Sequence, residues 1–266
     1  MKYCIPFFVG MNSIKKVDEI TIKYKENRYD TLIDFLKERF YVRVIINMLD
    51  RTLSEEDVKF FAALAEKEEY NFALLFSYHA NKDLIPQLKE TKIQYFFQEY
   101  CAEWGAVAAF IEAGVSDVYI VNDLGFDLQK VSEFVHGAGV KVRVFPNVAQ
   151  EMYSTQDPIT RFFIRPEDIP LYEKYVDVCE IFGEAGITEN IYFVYAAQRW
   201  NSSINNLISN IEEDFTNTFL LENFSVPRLS CQRKCKRGNC CDFCMKKVRI
   251  AKGIDRIRRG ATKKLS

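Results

Sequence analysis

The sequence predicts a TIM-like (β/α)8 barrel that carries a helical, cysteine-rich, metal-binding extension at its C-terminal end. Three observations lead there. Short Val/Ile/Phe/Tyr runs alternate with amphipathic stretches as far as residue 182, five cysteines crowd into Cys231–Cys244, and basic charge gathers after residue 227. Alternating strand and helix patterns imply βα units around a parallel sheet, and eight of them suit a barrel.

The predicted strands are Tyr3–Val9, Val42–Met48, Asn71–Ser77, Ile93–Phe97, Asp117–Val121, Val140–Phe145, Phe162–Arg165 and Val178–Phe182. Several are unbroken apolar runs, as strands covered on both faces should be. Between them, apolar residues recur at helical spacing: Val58, Phe61, Leu64 and Ala65; Trp104, Val107, Phe110 and Ile111; Leu128, Val131, Phe134 and Val135. Each set gives one core-facing stripe. Ser54 and Asp57 have capping-box spacing, with Asp in place of the usual Glu. Gly114 and Gly137 sit where helix ends call for a left-handed residue. Glu19–Lys25 alternates apolar and polar residues and reads as an exposed extra strand after the first. Ile191–Phe215 reads as a long helix. The helical link between Val148 and Thr160 is the weakest unit. Eight strands ending by residue 182 make a compact barrel beside the ~250 residues typical of the fold, and an open doubly wound sheet is the alternative. The chain has no Gly-rich phosphate loop of either common type, which counts against a nucleotide-binding open sheet.

The chain has 266 residues, 48% hydrophobic and 27% charged, enough for a large core and unlike a disordered composition. It has no apolar run of the ~18 residues a membrane helix needs. The apolar start, Met1–Gly10, reads as a first strand rather than a signal peptide, so a cytoplasmic protein is expected. The expected division is a barrel with trailing helices over 1–226 and a basic cysteine-rich segment over 227–266.

A net charge of -1 conceals an asymmetry. Residues 228–266 carry fourteen Lys+Arg and two Asp+Glu, a net of +12, which leaves residues 1–227 at -13. A basic terminal segment suits a polyanion, RNA or DNA, and equally suits docking on its own acidic body. Cys4, Cys101 and Cys179 lie in apolar contexts and read as small buried hydrophobes. Cys231, Cys235, Cys240, Cys241 and Cys244 follow the spacing C-x3-C-x4-C-C-x2-C. Such a cluster in a chain without a secretory signal points to metal before disulfides. Neighbouring Lys and Arg favour the thiolate form that ligates. Four thiolates serve tetrahedral zinc or a [4Fe–4S] cluster, and the spacing leaves both open.

Barrel chemistry gathers where strands end and loops begin. The polar residues there are Asn47, Asp50, Arg51, Tyr78, His79, Gln98, Glu99, Asn122, Asp123, Asn147, Arg165, Glu167 and Glu180. Such a ring suits a small polar or anionic substrate at the barrel mouth. Of the two histidines, His136 falls at a helix end and reads as structural, while His79 follows a strand.

Residues Ala113–Gly183 resemble the collagenase-like peptidase family, peptidase family U-32. Ala113–Gly125 (AGVSDVYIVNDLG) is similar to that family's AGVDAIIVSDLG stretch. Val142–Val148 is similar to the strand that follows it, Phe163–Ile169 to its strand-then-RE segment, and Cys179–Gly183 to its final EVFVHG strand. The resemblance implies a TIM-like barrel, and either peptidase activity or the hydroxylation of RNA or ubiquinone by members carrying cysteine-bound iron–sulfur clusters. It matches Glu180 and Arg165 to motif positions. With Glu99, Asp123 and Asn147 these form the candidate catalytic set, and Cys231, Cys235, Cys240, Cys241 and Cys244 become ligands of a 4Fe-4S cluster, with zinc as the alternative. In the family the cysteine motif follows the last strand almost at once, whereas here it comes about fifty residues later. The expected function is an iron–sulfur barrel enzyme or maturation factor modifying RNA by hydroxylation. The alternatives are a peptidase and a zinc-stabilised, non-enzymatic module that binds nucleic acid or protein.

Overall fold

The structure is a computed structural model, and it describes residues 1–8, 11, 16–24, 29–99, 101, 103–120, 128–147, 164, 166, 169–183 and 186–198. The chain divides into two compact units. The first comprises residues 1–121, 129–144 and 174–181 and contains all eight described strands: β1 Lys2–Pro6, β2 Glu19–Lys23, β3 Arg43–Asn47, β4 Phe72–Phe76, β5 Tyr95–Phe97, β6 Asp117–Tyr119, β7 Lys141–Val144 and β8 Val178–Glu180. They pair in parallel in the order β5-β4-β3-β2-β1-β8-β7-β6. The two end strands approach each other. Ser116 donates its backbone N–H to Tyr95 O at 2.7 Å, Cys101 donates to Tyr119 O at 2.8 Å, and Cys101 bridges Ile120 in parallel. The sheet is therefore a nearly closed, TIM-like (β/α)8 barrel.

The helices are α1 Tyr29–Glu38, α2 Glu55–Ala65, α3 Tyr78–Asn81, α4 Ile85–Lys89, α5 Trp104–Glu112, α6 Leu128–Gly137, α7 Ile169–Tyr172 and α8 Thr188–Ala196. Helix α2 begins on the expected capping box. The Asp57 N–H donates to Ser54 Oγ at 3.1 Å and the Ser54 N–H to Asp57 Oδ2 at 2.9 Å, so two otherwise unpaired donors are satisfied reciprocally. It buries Val58, Phe61 and Leu64 of its predicted stripe, while Ala65 is half-buried. The stripes of α5 and α6 are narrower than expected. Val107, Phe110, Val131 and Val135 are buried, while Trp104 and Phe134 are each 45% exposed and meet edge to face at 5.7 Å.

Two local expectations are corrected. Gly114 does take the left-handed conformation, at φ +83°, but Gly137 closes α6 and it is Gly139, at φ +73°, that turns the chain. Glu19–Lys23 is not an exposed extra strand: it lies between β1 and β3 as an integral stave of the barrel. Of the predicted strand Phe162–Arg165, only Ile164 is among the described residues. The Val148–Thr160 link lies outside them, and the expected helix Ile191–Phe215 instead ends at Ala196, with Gln198 at φ 52°; residues after 198 lie outside the described ones.

The second unit comprises residues 122–128, 145–173 and 182–266. Its described part centres on α8, whose Tyr195 hydroxyl donates to Ile164 O at 2.8 Å. Gly183 faces the start of that helix so closely that a Cβ would stand 2.7 Å from Thr188 Oγ1. Among the described residues, no helix is long and apolar enough to cross a membrane.

Candidate functional site

Side chains alternate across a strand, so Glu19, Thr21 and Lys23 share one face of β2, and Arg43, Ile45 and Asn47 share one face of β3. Parallel register sets Glu19 beside Arg43, Thr21 beside Ile45 and Lys23 beside Asn47. This face looks into the barrel, and its first layer is charged. Arg43 donates from Nη1 to Glu19 Oε1 and Asp117 Oδ1, both at 3.1 Å, and from Nη2 to Asp117 Oδ2 at 2.9 Å and Gln94 Oε1 at 2.8 Å. Arg143 donates from Nε to Asp117 Oδ1 at 3.0 Å, from Nη1 to Glu180 Oε2 at 3.2 Å, and from Nη2 to Glu19 Oε2. Its guanidinium also lies 4.6 Å from the Phe96 ring centroid.

All five charged side chains are buried, Arg143 and Asp117 completely. Buried ions are tolerable only when each is paired, and the planar guanidinium fork can serve several carboxylates at once. Arg43 crosses from β3 to β6 and so braces the barrel where β5 and β6 meet by few backbone bonds. Glu19, Arg43 and Asp117 open their strands, which places them at the N-terminal end of the barrel, where conserved chemistry usually serves stability. Glu180 and Tyr119 close β8 and β6 and stand at the opposite, C-terminal end of the strands, where sites on this fold gather.

There the network becomes a floor. Tyr119 donates its hydroxyl to Glu180 Oε2 at 2.6 Å, the oxygen that also receives Arg143. Glu180 Oε1 receives one long contact, from Thr21 Oγ1 at 3.4 Å. One layer nearer the mouth on the same faces lie Lys23, exposed, and Asn47, half-buried. Asn47 accepts from the Leu49 N–H through Oδ1 at 3.0 Å, and its Nδ2 has no partner among the described residues. Cys4 lies below, its Sγ 3.3 Å from Thr21 Oγ1. Burial, reinforced by the Glu180 carboxylate, pushes the Cys4 thiol up to about 12. Burial and then Glu99 do the same to Cys101.

The structure distributes the predicted site residues unevenly. Glu180 lies at the centre of the floor, 5% exposed. Glu99 accepts from Ser77 Oγ at 2.7 Å and from the Tyr78 N–H at 3.0 Å, tying β5's exit to the start of α3. In the second unit, fully buried Asn147 binds both backbone groups of Phe182. Its Nδ2 donates to Phe182 O at 2.6 Å, and its Oδ1 accepts from the Phe182 N–H at 2.9 Å. That is how a neighbouring strand would hold the chain. Arg165, Asp123 and the five clustered cysteines lie outside the described residues. Sequence reasoning missed Glu19, Thr21, Lys23, Arg43, Asp117, Tyr119 and Arg143. The signal was present in Arg43 and Arg143, each a charge inside an otherwise apolar run.

A serine, a histidine and an aspartate do meet. His136, in the last turn of α6, places Nε2 2.7 Å from Asp177 Oδ2 and Nδ1 3.3 Å from Ser132 Oγ. Ser132 is 1% exposed, so its hydroxyl is shut away from any substrate, and the trio links α6 to the entry of β8. Among the described residues, no group of three or more His, Cys, Asp or Glu side chains is arranged to hold a metal ion.

No family model and no curated protein matches the chain. Among solved structures it is similar to a glycerol uptake operon antiterminator-related protein from Thermotoga maritima. The identity is 16%, the match covers 71% of this chain and 98% of that one, and the TM-score is 0.39. The candidate site is thus defined by the barrel's own residues: a paired ionic layer within, and a polar mouth floored by Thr21, Tyr119 and Glu180.

Proposed function

We propose that this protein is a cytoplasmic barrel enzyme acting on RNA, with an iron–sulfur cluster held by four of Cys231, Cys235, Cys240, Cys241 and Cys244. The observation that carries the reading is a five-cysteine string inside a segment of net charge +12. The donor set suits the group: four thiolates bind a cluster whose negative charge the neighbouring Lys and Arg offset. The described cysteines are no competitors, since Cys4, Cys101 and Cys179 are buried and form no disulfide. When bound, the cluster would supply electron transfer or anchor a substrate. The basic segment would hold phosphate backbone, and the polar mouth would receive the reacting nucleotide. The chain's resemblance to the hydroxylating branch of the U-32 family favours an oxygen-insertion or maturation role.

Anaerobic purification, followed by iron, sulfide and zinc analysis and a visible spectrum, tests the metal. About four iron atoms with a broad thiolate-to-iron absorption are expected. A colourless protein with stoichiometric zinc would sink the redox reading and favour the structural zinc module, because the spacing serves zinc equally well. RNA binding should weaken steeply with salt, and the slope should fall in the full chain bearing Arg256→Ala, Arg258→Ala and Arg259→Ala.

A further inference from the structure

The mouth offers two unlike, unsatisfied ends. One is cationic and donating: Lys23 Nζ and Asn47 Nδ2 have no partner among the described residues, and register puts these residues side by side. The other is accepting. Among the described residues Glu180 Oε1 has only the 3.4 Å contact from Thr21, while Arg143 and Tyr119 hold the carboxylate in place through its other oxygen. Thr21 and Lys23 are two residues apart on one strand face, so their backbones stand roughly 6.6 Å apart along β2, which puts the donating end one layer above the carboxylate. A ligand that satisfies both carries an anion at one end and an O–H or N–H donor about one sugar ring away. A nucleotide has that layout, with its phosphate separated by the ribose from sugar hydroxyls and the donor edge of a base.

We infer that the barrel mouth takes a single nucleotide unit, its phosphate at Lys23 and Asn47 and a sugar or base donor at Glu180 Oε1. The assignment deepens the RNA reading and rests on it. Phosphate contacts position the chain, while the carboxylate reads a donor and so discriminates among sugars or bases. Glu180 is then a substrate-contacting group, and Tyr119 and Arg143 are positioning residues that act through it.

The test is calorimetric titration of the full chain with each of the four nucleoside 5′-monophosphates, the corresponding nucleosides and inorganic phosphate. At least one monophosphate is expected to bind. Lys23→Ala, on an exposed side chain, and Asn47→Asp, which keeps the acceptor for Leu49 but reverses the donor end, should each weaken it about tenfold. Glu180→Gln should weaken it by a similar factor. The matching nucleoside should bind more weakly, sense Glu180→Gln and ignore Lys23→Ala. No monophosphate binding at millimolar concentration, or binding indifferent to all three variants, overturns the assignment. RNA retention by the same preparations separates the two readings. RNA bound without any monophosphate binding refutes the mouth alone, whereas monophosphate binding without RNA retention refutes the RNA reading and keeps a nucleotide site.

Discussion

Replacing Arg143 with methionine fills most of the volume but removes a guanidinium that pairs with Glu19, Asp117 and Glu180. The ionic layer holds two guanidiniums and three carboxylates, so the substitution takes its formal charge from -1 to -2 and leaves Glu180 with no paired cation among the described residues. Breaking a buried pair from one side typically costs about 3–5 kcal/mol, because the surviving charge stays desolvated. Three carboxylates lose a partner here, so the upper end of that range is expected, a third or more of the stability of a typical domain. Urea unfolding followed by circular dichroism, with linear extrapolation, measures it. Lys92→Ala is the control. Its pair with Glu66 spans 2.6 Å but both side chains are mostly exposed, so it should cost no more than about 0.5 kcal/mol. A cost below about 1 kcal/mol for Arg143→Met would show that the buried pairs do not hold the barrel together.

Gly114→Ala forces an L-residue to φ +83° with its Cβ 3.2 Å from Tyr95 Oη, and should cost about 1–2 kcal/mol in the same assay, whereas Gly105→Ala in α5, with open space around it, should be neutral or stabilising. Asp57 should make the fold acid-sensitive. Burial pulls its carboxyl upward, but hydrogen bonds from Ser54 and Tyr29 and the charge of Arg51 outweigh burial and hold it below the ordinary 3.8. A depressed native value means that its contribution is complete above pH 3.8 and is lost as pH falls through the lower native value, so Asp57→Asn should flatten stability below pH 4. Cys4 and Cys101, with thiols near 12, should resist iodoacetamide at pH 8 in the native protein and react once it is unfolded. Rapid native alkylation of either would contradict the buried geometry.

Most of the barrel was legible because strands covered on both sides leave unbroken apolar runs, as at Phe72–Phe76, where every residue is buried. β2 was misread for a physical reason. Alternation is the mark of a sheet with one wet face, and in β2 the polar face turns inward onto Arg43 and Glu180 instead of outward to water. The candidate site was legible in part. Glu180 stood out at a strand end, but the bonds that give Glu99 and Asn147 their places run to residues 21 to 35 positions away, which no local pattern encodes. Lys23 and Thr21 went unnoticed because their strand was assigned to the surface.

The ionic layer also bears on how the chain matures. Glu19 finds Arg143 across 124 residues, and Thr21 finds Glu180 across 159. During synthesis Glu19 can meet Arg43 early, but its second oxygen and the Thr21 hydroxyl wait for partners on the last two strands. Non-local pairing of this kind slows folding and prolongs the life of half-built barrels. Fragments that stop before residue 143 should accumulate as open, aggregation-prone sheets, and completion of the barrel should coincide with release of β8 from the ribosome.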